Sequence, residues 1–264
     1  MKVILGISLS HNGSVSLVCN GKVLSAIQAE RISRSKRQIL SLREQNGLTA
    51  KCVRYCLSAA GLQYSDINNV AISSPWTIEK INDSELFSFI GGIPDNYSGT
   101  YYVPHHLAHM EYILHYGDLK PGIVLVVDGS GSLEQDRDLF NITEMHHPDI
   151  IDFVHFAGKE VISAYWFDGQ KTSLIYRFSP STAKIEECNR GSNGFLQSIG
   201  HYWRWASQYC CGSTNEAGKV MGLAAFGSYS DSNEKPILSI DANGKLKLNF
   251  EQLNSDFDQP NIFK

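Results

Sequence analysis

The residues best suited to chemistry in this sequence lie in one run, His105-His106-Leu107-Ala108-His109. Pro104 precedes it, as a first helical turn tolerates, and the helix-compatible run Met110-Glu111-Tyr112-Ile113-Leu114 follows. A helix opening there puts His105 and His109 at i and i+4. Their β-carbons are then about 5–6 Å apart on one face, close enough for both imidazoles to reach a single metal ion. His106 points elsewhere. Histidines at this spacing also serve simply to cap or pack a helix, so the pair alone leaves both readings open. It is not the zinc-protease pattern, because no glutamate stands between the histidines to act as a base.

Further candidates stand where the chain turns. The apolar run Gly122-Ile123-Val124-Leu125-Val126-Val127 reads as a buried strand and ends at Asp128-Gly129-Ser130-Gly131. Glycines there let the backbone approach a ligand, and Asp128 offers a hard oxygen to a phosphate site or a metal; a plain strand-terminal turn has the same sequence. Near the N-terminus, His11-Asn12-Gly13-Ser14 is a short polar turn between two apolar runs. Its backbone N–H groups can cradle an anion, or it can be a solvated hairpin turn. Glu30-Arg31-Ile32-Ser33-Arg34-Ser35-Lys36-Arg37 is a basic run behind one acid. It is a solvated loop or a set of donors for a phosphate-bearing substrate. Lys219 lies in a glycine-studded segment, 215–227, and is either a phosphate contact or a surface lysine; Gly222 belongs to the same segment.

These residues need a scaffold of ordinary globular type. The chain has 264 residues and a net charge of −4, enough length for one large domain or two lobes with cores of their own. That charge gives no basic face for nucleic acid. No apolar segment approaches the roughly 20 residues of a membrane span, and the first residues lack the pattern of a signal peptide. Six cysteines without CxxC spacing read as reduced thiols in a cytoplasmic protein. Residues 2–9, 14–19 and 22–29 read as a β-meander whose second turn, Asn20-Gly21, is of the type I′ kind. A helix is expected from Thr49 to a stop at Gly61, then a strand over 68–73. Residues 74–100 read as irregular. Three short β-like runs over 150–179 suggest a second meander, and a helix carries Phe195 to Ala206. In 215–227 the glycines read as turns or close approaches. A hairpin follows within 237–250.

Taken in order, ILGISLSHNGSVSLVCNGKV, AERISRSKR, HHLAH, VLVVDGSGS, SNGFLQS and EAGKVMGLAAFG resemble one family, the O-carbamoyltransferases of nodulation and antibiotic tailoring. The resemblance implies an α/β fold of actin/sugar-kinase/heat-shock ATPase-like (ribonuclease H-like) lobes. Residues 1–130 would be the first lobe, carrying the HxxxH helix, and 131–264 an incomplete second lobe. The implied reaction joins carbamoyl phosphate and ATP into carbamoyl-adenylate, then passes the carbamoyl group to the hydroxyl of a small acceptor. His105 and His109 would hold an iron-type divalent metal facing the adenylate. Asp128, Gly129 and Gly131 would line the cleft beside the phosphates, with Lys219 and Gly222 close by, and His11 to Ser14 would form the first phosphate-side loop.

Two residues depart from the family pattern: Asn12 stands where an aspartate is common, and Gln197 where a tyrosine is frequent. Family members are also longer, with a third metal ligand and a C-terminal domain that makes the adenylate. The sequence is therefore expected to be an N-terminal portion unable to complete the reaction alone: a truncated product, an excised piece, or half of a split enzyme whose partner is a separate C-terminal half. A kinase-like phosphotransferase of the same fold and a non-catalytic nucleotide- or metal-binding module are the alternatives. The sequence leaves the acceptor open.

Overall fold

The computed structural model describes residues 2–41, 47–75, 81–116, 120–129, 131–132, 159–179, 199–213, 216–227, 238–240, 242 and 246–248. The chain divides into two compact units: Met1–Val124 with Gly131–Ile150 and Tyr165–Ser173, and Leu125–Ser130 with Ile151–Ala164 and Leu174–Lys264. Each unit draws on more than one segment of the chain. The fold class is mixed α/β, as expected.

The meander forms as read: β1 (Val3–Ser8), β2 (Ser14–Cys19) and β3 (Lys22–Gln28), each antiparallel to the next. Asn20 and Gly21 both take positive φ, 48° and 77°, which a type I′ turn requires. In β1, Val3, Leu5 and Ile7 are buried and alternate with partly covered neighbours, so the apolar run carries a period of two. A short helix α1 (Ala29–Ser33) follows, then α2 (Leu48–Ala60). Gly61 ends α2 in the left-handed conformation and donates its N–H to the Leu57 and Ser58 carbonyls. Leu48, Cys52, Val53, Cys56 and Leu57 bury one face of α2 in the core with β1, β2 and β4. Burial raises the Cys56 thiol above its ordinary pKa, with Ser25 opposing the shift weakly. Cys56 is a core residue.

Next come β4 (Ile67–Ser74), α3 (Asp83–Ile90), β5 (Gly99–Pro104) and α4 (His105–Tyr116). The sheet order is β3-β2-β1-β4-β5, with β4 parallel to β1 and β5 parallel to β4. The region read as irregular, 74–100, thus holds a helix and the first residues of a strand. Asn82 and Glu85 close a reciprocal capping box on α3: each backbone N–H donates to the other's side-chain oxygen, both at 3.0 Å. Asn-x-x-Glu was a visible start signal, hidden by the Gly, Pro and Ser around it.

A second sheet has the order β6 (Gly122–Val127), β7 (Ile162–Phe167), β8 (Thr172–Phe178). Two runs of the expected second meander are strands; the third, IIDFVHF, lies outside the described residues, as do Gln197, Cys188 and the segment after residue 248. In the second unit α5 (Ile199–Cys211) precedes α6 (Ala217–Ala224). The glycine-studded segment is therefore a helix, and β-carbons built on Gly218 and Gly222 would meet nothing within 4 Å. Those glycines mark neither turns nor close approaches. The strands β9 (Leu238–Ile240) and β10 (Leu246–Leu248) pair as the expected hairpin.

Gly13 is the tightest glycine of the first unit's turn. A β-carbon there would stand 2.5 Å from Leu40 Cγ and 2.7 Å from the Leu40 backbone nitrogen. Gly13→Ala should destabilise the protein by about 1–3 kcal/mol through overpacking, read as a lower urea midpoint with an unchanged slope.

Candidate functional site

Three parallel strands set the geometry of the first unit's site. Ser8 of β1 pairs with Ser73 of β4, and Ser74 pairs with Pro104 of β5, so the carboxyl ends of all three lie along one edge of the sheet. Ligands of open α/β sheets bind beyond such an edge. The His11 turn leaves it from β1, and the histidine helix leaves it from β5. At roughly 4.8 Å per strand the two departure points are about 10 Å apart.

Helix α4 starts directly on the end of β5, with no capping residue before it, because Pro104 has no side-chain acceptor. Its first amide is satisfied from elsewhere in the unit. The His105 N–H donates to Ser132 Oγ at 2.8 Å, and that buried hydroxyl donates to the Ser74 carbonyl at 3.4 Å. Ser132 thus ties the helix start to the end of β4. Sequence reasoning did not single it out; the only hint was a helix opening after proline without a cap of its own.

The expected i,i+4 pairing is present. The Nε2 atoms of His105 and His109 lie 3.2 Å apart, with ring centroids separated by 4.6 Å and planes at 78°. Metal–imidazole bonds of about 2.0–2.1 Å at a tetrahedral angle place two ligand nitrogens about 3.3 Å apart, so this pair fits a shared divalent ion. With no ion, one ring donates to the other, which demands opposite roles for the two facing nitrogens. His105 is half-buried and His109 exposed, whereas His106 between them is fully buried.

The His11 turn departs from expectation in its donors. The Asn12 N–H bonds Ser10 Oγ at 3.2 Å, the Gly13 N–H bonds the Gln38 carbonyl at 3.0 Å, and the Gly13 carbonyl accepts from Ala29 at 2.8 Å. Backbone amides of Asn12 and Gly13 are therefore already engaged and do not form an anion cradle. Ser14 is the first residue of β2, opposite Ser8. The exposed residues of the turn are His11 and Asn12.

In the second unit, the Asp128 N–H donates to the Val161 carbonyl at 2.9 Å, and the Gly129 N–H donates to Asp128 Oδ1 at 2.6 Å. The first turn of α5 lies against this backbone: a β-carbon on Gly200 would collide with the backbone of Asp128 and Gly129. Gly200 is a second residue that sequence reasoning missed, since one glycine at a helix start gives no signal of its own. On α6, Lys219 Nζ is 3.1 Å from Glu216 Oε2, with the lysine side chain 68% exposed. Such a pair contributes little to stability. Gly131 is a buried residue of the first unit.

Residues 3–88 match the family model described as Carbamoyltransferase N-terminus. The nodulation protein NolNO of Sinorhizobium fredii is 27% identical to the chain over 142 residues, covering 46% of the chain but only 20% of that protein. Among solved structures, YeaZ from Pseudomonas aeruginosa is similar at a TM-score of 0.33 and 14% identity, covering 67% of this chain and 65% of that one. A candidate N-acetylglucosamine kinase from Porphyromonas gingivalis is similar at a TM-score of 0.33 and 11% identity, over 86% of this chain and 71% of that one. The matched residues run from β1 into α3, and the histidine pair lies beyond them, at positions 105 and 109 on α4. Among the described residues, no helix is long and apolar enough to cross a membrane.

Ser132→Ala should leave the His105 amide without its acceptor and cost about 1 kcal/mol. The measurement is the urea midpoint, and Ser132→Thr, which keeps the hydroxyl, should recover most of the loss.

Proposed function

We propose that this chain works in a carbamoyltransferase, passing a carbamoyl group from carbamoyl-adenylate, made from carbamoyl phosphate and ATP, to the hydroxyl of a small acceptor. The observation that carries the reading is the convergence of His105 and His109 Nε2 at 3.2 Å beyond the carboxyl edge of β1, β4 and β5. The carbamoyltransferase N-terminus in residues 3–88 supports the choice of reaction.

His105 and His109 would hold a divalent metal of the iron type. Such an ion, when bound, polarises a carbonyl oxygen and stabilises the charge that develops on attack. The protein's own part is positioning. Pro104 and Ser132 fix the start of α4, so both imidazoles are oriented before a ligand arrives. The acceptor oxygen forms a bond to the carbamoyl carbon, the bond from that carbon to the adenylate oxygen breaks, and AMP leaves, with the hydroxyl proton passing to the departing phosphate. Asn12 in the exposed turn can donate or accept a hydrogen bond but cannot take the hydroxyl proton. Asp128, Gly129, Gly131, Lys219 and Gly222 belong to this proposal as phosphate-side residues.

Metal analysis of anaerobically purified protein is the direct test. Wild type should carry close to one equivalent of divalent metal, and the His105→Ala, His109→Ala double variant should carry almost none. Wild-type protein free of metal after anaerobic purification and metal addition would overturn the histidine assignment.

A further inference from the structure

The basic run lies beside the His11 turn in the first unit. Gly13 donates its N–H to the Gln38 carbonyl at 3.0 Å and packs so closely on Leu40 that no side chain fits between them. Two stretches that the sequence presents separately, with seventeen residues between Gly13 and Arg31, are thereby adjacent.

The loop itself is built, not loose. Arg34 and Arg37 take left-handed backbone conformations at φ 61° and 56°, two of the three non-glycine residues with positive φ among those described. Arginine has no intrinsic preference for that region, and strain held at a site is a pointer to function. Glu30 closes the loop from within: its carbonyl accepts the Arg34 N–H at 2.9 Å, and its carboxylate accepts the Arg37 N–H at 3.1 Å. The carboxylate is thus engaged with backbone, and its approach to the Arg31 guanidinium is a loose 3.9 Å. No side-chain ion pair or hydrogen bond among the described residues engages Arg34, Lys36 or Arg37. Among the described residues, three cations within four positions thus have no acidic partner on a constrained loop, in a chain of net charge −4.

We propose that Arg34, Lys36 and Arg37 form a phosphate-recognition loop beside the His11–Gly13 turn. The proposal rests on the reading of that turn as phosphate-facing and changes how it works: cationic side chains hold the phosphoryl oxygens, because the turn's own amides are occupied. Guanidinium forks match phosphate geometry and give charge-assisted hydrogen bonds that ammonium or amide groups cannot reproduce. The phosphoryl group can come from a nucleotide or from an acyl phosphate; both present the same oxygens to the loop.

Calorimetric titration with inorganic pyrophosphate tests this. An Arg34→Gly, Arg37→Gly double variant removes both guanidiniums while suiting the left-handed backbone better, so folding is preserved or improved. Wild type should bind pyrophosphate, more weakly at high salt. The glycine variant should bind about tenfold more weakly or worse, with an unchanged or higher melting temperature. The His105→Ala, His109→Ala variant should bind as wild type does, which separates this site from the metal reading. Displacement by ATP assigns the site to the nucleotide, and displacement by carbamoyl phosphate alone assigns it to the carbamoyl donor. Absence of pyrophosphate binding in wild type, or undiminished binding in the glycine variant, would overturn the proposal.

Discussion

Parallel strands share a direction, so their carboxyl ends must lie on one side of the sheet, and whatever follows them emerges there. In the first unit this constraint acts through two pairings, β1 with β4 and β4 with β5. The turn after β1 and the helix after β5 are more than ninety residues apart in the chain yet leave the same edge. Antiparallel pairing at either position would have sent one of them to the opposite end. The alternating apolar residues of β1 and the buried face of α2 matter because they hold this register: a slip by one residue would exchange the core and outer faces of β1.

On that edge the start of α4 is tied to the sheet by long-range hydrogen bonds. Helix α4 begins without a cap of its own, and a hydroxyl from another part of the unit supplies the missing acceptor while also bonding the end of β4. The histidine pair therefore sits on a first turn anchored to the sheet. A similar economy shapes the His11 turn, where Gly13 allows Leu40 and Gln38 to approach and so aligns the basic loop beside it. The cationic loop is constrained by Glu30 through backbone bonds, which leaves its arginines available for a ligand of opposite charge.

The second unit follows the same logic with fewer described residues. Asp128 and Gly129 are bonded to each other and to Val161, and Gly200 lets the first turn of α5 lie against their backbone. Close approach of this kind is invisible one residue at a time, because it depends on which backbone arrives opposite the glycine. Lys219 shows the reverse: a motif-like lysine whose visible partner is its own helical neighbour, Glu216.

Local physics was legible in the sequence wherever one stretch sufficed to state it. The meander and its Asn20-Gly21 turn, the α2 stripe ending at Gly61, and the i,i+4 histidines follow from period, turn chemistry and helix spacing alone. Composition misled where flanking residues masked a signal, as at Asn82-x-x-Glu85, and where helix-breaking glycines were carried by their neighbours, as in α6. Tertiary structure alone decided that β5 exists as a parallel edge strand, that Ser132 caps α4, and that Gln38 occupies the Gly13 amide. Each of these is a contact between residues distant in the chain, and its existence depends on a register that no single segment encodes.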